Sequence, residues 1–412
     1  MARNRFFLIL PLFMVIFIDA LSSSLLLPLL APMFIDSVTS ILPSSATALE
    51  RNFLFGFTQG ISSIAMFFSA PILGDLSDKF GRRKILLLCL FGTFLGYLLS
   101  ALAVIIHAVS LLLLGRLIAG LTAGSLSTAQ AAVVDISEGS KRTAYIGYIL
   151  FAMSLGSILG PLISGTLSNH QWVSWFHITT PLYFAALISF LNIFYLYFAF
   201  KETFIPTAKK NIKIFSGLSV FVSAFKIRGL LGLSIAFLFM QLGWATFVQF
   251  IALFLTLQYQ FTASQVGAFM ACIGVGFTLA FCYLLTVVTR YFSLRAIAIV
   301  SIGLIAIFML GICLIQNELS AWILSIPAAT SLAIGYSVLI SLFSQEVDKN
   351  KQGWIMGLTG AISAFSFGIT GLTAGMLVNL GANTPIWFAF VCLVISTFAI
   401  YFSTKSFSRK LT

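Results

Sequence analysis

The sequence predicts an all-α polytopic membrane protein in which 12 transmembrane helices form two six-helix bundles, with both termini in the cytoplasm. Composition is the first reason, because 60% of the 412 residues are hydrophobic and only 8% are charged. A soluble chain of this length would need two or three domains with a far more polar surface. The net charge of +12 comes from basic residues spread over many short segments, without the basic stripe typical of nucleic-acid binding.

The length of the apolar runs is the second reason. A helix needs about 20 predominantly apolar residues to cross about 30 Å of hydrocarbon. Twelve runs meet this requirement, and we number them as spans 1 to 12: 6–30, 52–73, 85–106, 108–134, 144–167, 177–200, 229–257, 262–289, 295–316, 319–344, 353–379 and 385–404. The break between spans 7 and 8 is the least marked, since only Gln258–Gln260 separates them.

The distribution of basic residues predicts the orientation. If both termini lie in the cytoplasm, every Lys and Arg except Arg51 and Arg116 falls on the cytoplasmic side. Arg51 would lie in an outer loop, and Arg116 lies within span 4. This asymmetry follows the positive-inside rule.

The segment 201–228 divides the chain into two similar halves. It is basic and contains Pro206, so we interpret it as a cytoplasmic linker with room for a helix on the membrane surface. The predicted domains are an N-terminal six-helix bundle at 1–200 and a C-terminal six-helix bundle at 229–412. Parallel repeats of this kind occur in transporters. The halves align at these pairs: Gly147 with Gly357, Lys141 with Lys351, Glu138 with Asp348 and Gly165 with Gly375.

The connection between spans 2 and 3 is dense in charge and must lie in water. Gly74 and Gly81 would permit a tight turn, since glycine tolerates backbone conformations that other residues avoid. Asp78 can accept hydrogen bonds at the amino end of a neighbouring helix, where the helix dipole favours an anion. Arg82 and Arg83 can pair with carboxylates on the cytoplasmic face. A charged loop that is merely solvated is the alternative.

Two charges lie deep within spans, Asp19 in span 1 and Arg116 in span 4. An unpaired carboxylate at the bilayer centre costs about 2.5–3.5 kcal/mol on insertion scales, so Asp19 should either bind a proton or pair with Arg116. The same cost should direct Arg116 towards the interior. Proton coupling requires a group that gains and loses a proton, and Ser22 and Ser23 follow Asp19 on the same helix face. A structural hydrogen-bonding Asp19 and a snorkelling Arg116 are the alternatives.

Span 5 carries glycines at fixed spacing, in the pattern Gly147-x8-Gly156-x3-Gly160-Pro161-x2-Ser164-Gly165. Glycines on one face let two helices approach closely, and we expect span 5 to press against a helix of the other half. Pro161 removes a backbone donor and adds a local kink.

Other polar residues within spans are candidates for lining a substrate cavity. Together with Ser22 and Ser23, they are Gln59, Gln130, Asn192, Gln241, Trp244, Gln249 and Tyr336. Each is explained equally well as a hydrogen-bonded bridge between helices. The five cysteines lie within apolar runs without metal-type spacing, and no nucleophile–base set is evident. We therefore expect neither a metal site nor an enzyme.

In their order along the chain, these motifs resemble those of the major facilitator superfamily. The connection Gly74-Asp-Leu-Ser-Asp-Lys-Phe-Gly-Arg-Arg-Lys84 resembles the loop between helices 2 and 3 of that family. The span 5 pattern matches the family's antiporter motif, except that Ser164 replaces a glycine. With Ser344-Gln-Glu-Val-Asp-Lys-Asn-Lys-Gln-Gly353, the chain resembles the drug:proton antiporter branch, nearest the tetracycline-type exporters, over nearly its whole length.

The resemblance implies a major facilitator fold and a conformational latch. In the family, the motif's aspartate, here Asp78, docks at the start of helix 11, here near Gly353, and its arginine reaches an acid at the end of helix 4, here Asp135. The segment around Arg116 resembles a second motif whose arginine serves proton transfer or substrate binding. The span 5 motif favours export. Unlike tetracycline-type exporters, this chain has no carboxylate in spans 3 and 9 and no histidine in span 8.

The predicted function is that of a proton-coupled secondary transporter that exports a small amphipathic or lipophilic compound by alternating access. The alternatives are a proton symporter that imports a nutrient or metabolite, an exporter of a siderophore or metabolite rather than a drug, and a non-transporting membrane sensor or scaffold. We expect no cofactor beyond the proton gradient, and no nucleic-acid partner. We expect a small-molecule substrate and a monomer in the lipid bilayer of a bacterial cytoplasmic (inner) membrane.

Overall fold

The structure is a computed structural model that describes residues 3–35, 39–137, 139–204, 216–227, 230–315, 317–347 and 352–408. Twelve helical spans within these residues are long and apolar enough to cross a membrane. The first is Ile9–Ile35 and the last is Thr384–Ser403. The chain is therefore an all-helical, multi-pass membrane protein, and the predicted number of spans is confirmed.

Spans 1 to 6 are built from eight helices. These are α1 (Arg3–Leu25), α2 (Leu27–Ile35), α3 (Ala48–Phe80), α4 (Arg82–Ile105), α5 (Val109–Leu121), α6 (Ser125–Ile136), α7 (Gly139–Leu167) and α8 (Thr180–Ala199). Span 1 combines α1 with α2, and span 4 combines α5 with α6. Each of the other four spans is a single helix.

The remaining helices begin in the predicted linker. They are α9 (Ser216–Lys226), α10 (Leu231–Tyr259), α11 (Ala263–Leu279), α12 (Leu285–Tyr291), α13 (Leu294–Ile315), α14 (Glu318–Gln345), α15 (Gln352–Leu377) and α16 (Thr384–Ser408). A π-helical segment, Ala280–Leu284, joins α11 to α12 within span 8. That α9 lies on the membrane surface stays a prediction, and residues 205–215 of the linker lie outside the described residues.

The chain forms two compact units. The first comprises Met1–Ser216 with Phe261–Ala268, and the second comprises Gly217–Gln260 with Phe269–Thr412. This division differs from a single cut at the linker, because the residues that begin α11 belong to the first unit.

In the first unit, α1 packs along α7, while α4 packs along α5 and α8. A buried core forms where α1, α4 and α6 meet, and small side chains on α6 allow the close approach. Its members from these helices are Leu12, Val15, Ile16, Leu86, Leu90, Ala129, Ala132 and Val133. In the second unit, α10 packs along α15 and α16, and α13 packs along α14 and α16.

The charged stretch between spans 2 and 3 differs from the prediction. Helix α3 continues to Phe80, α4 begins at Arg82, and Gly81 alone joins them. Gly74 lies within α3, and a Cβ added there would meet no atom within 4 Å. The expectation that Gly74 shapes a tight turn is wrong, because charged residues can continue a helix and the connection needs only one non-helical residue.

Spans 1 and 4 are each interrupted once, although the sequence predicts one continuous helix for each. In span 1 the break falls at Leu26, and Pro28 lies in the first turn of α2, where its missing N–H is tolerated. In span 4 the break falls at 122–124, so that Ser125 is the first residue of α6. This second break places Ser125 beside the carboxylate of Asp19.

Arg51 secures the connection between α2 and α3. Its guanidinium donates to the carbonyl oxygens of Phe34, Pro43 and Ala46 and to Ser40 Oγ, at distances of 2.8, 2.9, 3.2 and 2.9 Å. The Phe34 carbonyl lies near the end of α2, where the helix dipole favours a cation. In the sequence Arg51 stands out only as an exception to the charge asymmetry, and the structure gives it a role in holding this connection together.

Candidate functional site

Asp19 lies within the apolar helix α1 and contacts two hydroxyl groups. Its Oδ2 accepts a hydrogen bond from Ser125 Oγ at 2.5 Å, and its Oδ1 accepts a longer one from Thr93 Oγ1 at 3.4 Å. In the described part of the chain, no Lys, Arg or His forms an ion pair with this carboxylate. Asp19 is therefore held by neutral groups on α4 and α6 rather than by a cation.

The two hydroxyls can serve either protonation state of Asp19. Ser125 and Thr93 are buried, with 2% and 7% of their surfaces exposed. A hydroxyl has one hydrogen to donate, and Thr93 Oγ1 also lies 3.1 Å from the Cys89 carbonyl oxygen. With its hydrogen on that carbonyl, Thr93 can accept a bond from a protonated Asp19, while Ser125 donates to the ionised form.

Arg116 on α5 has partners other than Asp19. Its Nη2 donates to Ser62 Oγ at 2.7 Å, and its guanidinium also interacts with the hydroxyl of Tyr97. Tyr97 is also close enough to Asp19 to interact with it electrostatically, so it lies near both charges. The sequence allows Asp19 either to bind a proton or to pair with Arg116. The structure describes both residues and does not contain the pair.

The break in span 4 places the first turn of α6 beside Asp19. Thr122 fits a notch at Gly92, where an added Cβ would lie 2.0 Å from Thr122 Oγ1. Gly124 is also closely packed, since a Cβ there would lie 2.6 Å from a side-chain carbon of Leu73. The N–H groups in the first turn of a helix have no partner within the helix and carry partial positive charge. An ionised Asp19 is thus favoured at this end of α6.

At the Gly81 joint, the structure brings Arg82 and Asp135 together. Arg82 Nε donates to Asp135 Oδ2 at 3.0 Å, and Nη1 donates to Asp78 Oδ1 at 2.5 Å. Only 7% of the Arg82 side chain is exposed, and its guanidinium stacks 4.8 Å from the centre of the Phe204 ring. A buried guanidinium with two carboxylates is a structured element rather than a solvated loop.

The other members of the predicted latch differ in their surroundings. The Arg83 side chain donates from Nη2 to the Tyr197 carbonyl oxygen, and its guanidinium stacks 4.6 Å from the centre of the Tyr197 ring, so the side chain contacts α8. The docking of Asp78 near Gly353 stays a prediction. The latch function as a whole is also a prediction.

The glycines of span 5 have unequal packing. An added Cβ at Gly156 would lie 2.4 Å from the Phe17 carbonyl oxygen, and one at Gly160 would lie 2.4 Å from that of Leu21. Both glycines therefore press against α1, and the expectation that they press against the other half is wrong for them. The reason is that α1 and α7 pack along their lengths within one unit.

The two glycines at the ends of the span 5 pattern, Gly147 and Gly165, do not pack against α1. Gly165 meets the start of α11, where an added Cβ would lie 2.9 Å from Ser264 Cα, and a Cβ at Gly267 would lie 2.3 Å from the Pro161 carbonyl oxygen. The sequence assigns α11 to the C-terminal half, so Gly165 does contact a helix of that half as expected, although Phe261–Ala268 belongs to the first compact unit. A Cβ at Gly147 would meet nothing within 4 Å. Close packing thus explains Gly156, Gly160 and Gly165 but not Gly147.

Most of the candidate cavity residues in the first unit are buried. Ser22, Gln59 and Asn192 are 0%, 5% and 2% exposed, Gln130 is partly buried and Ser23 is exposed. Among the residues that the structure describes, both polar atoms of the Asn192 side chain and the hydroxyl of Ser22 lack a hydrogen-bond partner. Buried polar groups normally have partners, so water or another ligand would satisfy these two.

In the second unit, the candidate residues bridge helices. Gln241 Nε2 donates to Ser363 Oγ at 2.6 Å, and Gln249 Nε2 donates to Thr370 Oγ1 at 3.0 Å, so both glutamines on α10 bind α15. The aromatic members lie in ring clusters, where Trp244 packs on Phe247 and Phe277, and Tyr336 packs on Phe237. For the glutamines, bridging is the interpretation that these contacts favour.

Comparison with known proteins identifies the family. Residues 12–371 match the family model of the Major Facilitator Superfamily. The chain belongs to this superfamily. The fold predicted from the motifs is thereby confirmed.

Two relatives of this superfamily member align over most of its length. It is 25% identical over 339 residues to tetracycline resistance protein, class C, of Escherichia coli, an alignment that covers 81% of each protein. It is 23% identical over 369 residues to multidrug resistance protein 1 of Bacillus subtilis, which covers 86% of this chain and 89% of the relative. The predicted resemblance to drug-exporter families is confirmed by these relatives.

A solved structure shares the fold. The crystal structure of a D-xylose-proton symporter superposes with a TM-score of 0.76 at 14% sequence identity, over 96% of this chain and 97% of the symporter. At this identity the likeness concerns the fold alone. The chain is a major facilitator transporter built on that scaffold.

One residue of the Gly81 joint in this transporter is not evident from the sequence. Glu202, just after α8, accepts the backbone N–H groups of Arg82 and Arg83 at 2.9 and 3.1 Å and so caps α4. A Cβ at Gly81, whose φ is 99°, would lie 2.4 Å from Glu202 Oε2. Glu202 lies far from Gly81 in the sequence. An acidic residue that follows a span does not indicate which group it will bind, so the sequence alone could not predict this cap.

Proposed function

We propose that this chain is a proton-coupled secondary active transporter that exports a small amphipathic or lipophilic compound by alternating access. The proton gradient is its only energy source, and no cofactor takes part. It acts as a monomer in a bacterial cytoplasmic membrane, with both termini in the cytoplasm. Its partners are the transported small molecule and the bilayer.

The environment of Asp19 carries this proposal. A carboxylate within an apolar helix that has no ion-pair partner among the described residues is costly to keep ionised in a membrane. Ser125 and Thr93 provide hydrogen bonds for both its ionised and its protonated form. A group that is supported in two protonation states, and that lies near Tyr97 and Arg116, is suited to loading and releasing a proton.

The direction of transport is supported by a sequence pattern and by two relatives. The glycine pattern of span 5 resembles the antiporter motif, and two relatives are named for tetracycline resistance and multidrug resistance. Both facts favour export of a drug-like compound, or of a siderophore or metabolite. The alternative is proton symport of a nutrient, since a D-xylose-proton symporter has the same fold. Energised cells that accumulate the substrate, and lose it with an uncoupler, would favour the symporter.

A reconstituted system tests the proposal. Purified protein in liposomes is given an imposed pH gradient, with ethidium, tetraphenylphosphonium and tetracycline as the first probes. We expect gradient-driven movement of a probe in the wild type, reduction to the level of empty liposomes in Asp19→Asn, and partial retention in Asp19→Glu, which keeps an ionisable group. Undiminished gradient-driven transport by Asp19→Asn would contradict the assignment of Asp19 as the proton carrier.

A further inference from the structure

We propose that α6 links the proton site to the Arg82–Asp135 ion pair, and that Ser125 is the positioning residue that ties the first turn of α6 to Asp19. The inference rests on the proposed role of Asp19 and adds a mechanical consequence to it. Its basis is that one short helix carries both contacts, Ser125 at its first residue and Asp135 next to its last.

Helix α6 is a separate element rather than the second half of a continuous rod. The backbone N–H of Ala123 donates to the Gly120 carbonyl and that of Gly124 to the Thr122 carbonyl, so helical spacing is lost between α5 and α6. The ten residue-to-residue steps from Ser125 to Asp135 correspond to about 15 Å at 1.5 Å per step. Ala129, Ala132 and Val133 pack this helix on α1 and α4. A displacement at one end is therefore transmitted to the other.

The dipole of α6 acts in opposite ways on the carboxylates at its two ends. Ionised Asp19 lies at the amino end, where the helix dipole favours an anion. Asp135 lies at the carboxyl end, where the dipole disfavours an anion, and Arg82 opens α4, where the dipole disfavours a cation. Arg82 therefore compensates Asp135, while Arg82 itself is compensated by both Asp135 and Asp78. Such a contact is sensitive to small movements of α6.

Protonation of Asp19 weakens its contact with the first turn of α6. Neutral Asp19 loses its attraction to the first turn of α6 and becomes a donor, for which Thr93 Oγ1 on α4 is the available acceptor. The carboxyl group then donates towards α4, and the bond that its Oδ2 accepts from Ser125 becomes weaker because that oxygen no longer carries the negative charge. Held less strongly at its first turn, α6 shifts relative to α5 and moves Asp135 with respect to Arg82. Proton release strengthens the Ser125 bond again and restores the ion pair.

Spin-label distances test this movement directly. The five native cysteines are free, and they are first replaced. Labels at Leu114 on α5 and Val134 on α6, both exposed, span the break at about 30 Å. Labels at Leu88 and Leu102, exposed and both within α4, form the control pair at about 21 Å. Each pair is measured in acidic and in alkaline buffer by double electron–electron resonance.

The expected result is a pH-dependent shift in the 114–134 distance and none in the control pair. The shift should be lost in Ser125→Ala, which removes the hydroxyl but suits a helix, and kept in Ser125→Thr, which retains it. The infrared band of the protonated Asp19 carboxyl, recorded on the same samples, should still titrate in Ser125→Ala. A band that still titrates shows that Ser125→Ala has removed the link between Asp19 and α6 without removing the proton site.

The opposing outcomes are equally distinct. A 114–134 distance that does not respond to pH while the Asp19 band titrates overturns the link through α6 and leaves the proton carrier standing. A shift that persists in Ser125→Ala overturns the link in the same way. An Asp19 band that never titrates refutes the proposed function, and the inference with it.

Discussion

In the proposed function, a single carboxylate and the hydroxyls around it carry the proton chemistry. Asp19 is evident from the sequence because acids are rare within apolar spans and costly there. Ser125 and Thr93 are not evident, because hydroxyl residues are common in membrane helices and serve mainly to join helices. Their contact with Asp19 depends on how α1, α4 and α6 pack, which no spacing in the sequence records.

The same contrast holds at the Gly81 joint. The family resemblance predicts that an arginine of this connection reaches Asp135, and Arg82 does so. Glu202 escapes prediction because its partners are backbone N–H groups, which every residue has. Sequence reasoning thus finds charged side chains that pair with one another more readily than side chains that cap a helix.

Replacing Glu202 tests its capping role. Glu202→Ala should lower stability by about 1 kcal/mol, the usual cost of losing a helix cap, because the N–H groups of Arg82 and Arg83 lose their acceptor. Glu202→Gln should lie between it and the wild type, since the amide keeps one acceptor oxygen but loses the charge. The apparent thermal unfolding midpoint of purified protein is the measurement.

Lys201→Ala is the matched control for Glu202, because it changes a neighbouring exposed residue. Its midpoint should equal that of the wild type. If Glu202→Ala is as stable as this control, the two backbone contacts contribute nothing to the fold and the capping interpretation fails.

Whole helices are predicted more securely than their interruptions. The number and order of the spans follow from the length of each apolar run. The break in span 4 does not, because Gly120 and Gly124 at small-xxx-small spacing indicate close packing whether or not the helix continues. Close packing is indeed present, since a Cβ at Gly120 would lie 2.3 Å from the Ser62 carbonyl oxygen. Hydropathy alone carries no information about the joint at 122–124.

Two glycines of α7 provide a matched pair of substitutions. Gly160→Ala should destabilise the transporter by about 1–3 kcal/mol, because the new methyl group would overlap the backbone of α1 at Leu21. Gly147→Ala should be neutral or slightly stabilising, since its methyl group enters open space and alanine favours helix. Thermal unfolding of the two variants beside the wild type measures the difference. Equal midpoints would contradict the tight α1–α7 packing.

Across the entire chain, composition and charge distribution predict a polytopic membrane protein, and the motifs predict its superfamily. Substrate and direction are not fixed at this level. The same scaffold serves a D-xylose-proton symporter, and the residues that select a compound are few and dispersed along the chain. Contacts such as those of Gln241 with α15 show why a polar residue in a span does not by itself indicate a binding cavity.

The central claim is that Asp19 takes up and releases the coupling proton. Infrared difference spectra of the reconstituted transporter between acidic and alkaline buffer, compared with those of Asp19→Asn, measure that event directly. We predict a carbonyl band of a protonated carboxyl group in acidic buffer that disappears in alkaline buffer and is missing from Asp19→Asn. A wild-type spectrum identical to that of Asp19→Asn at every pH would contradict the account.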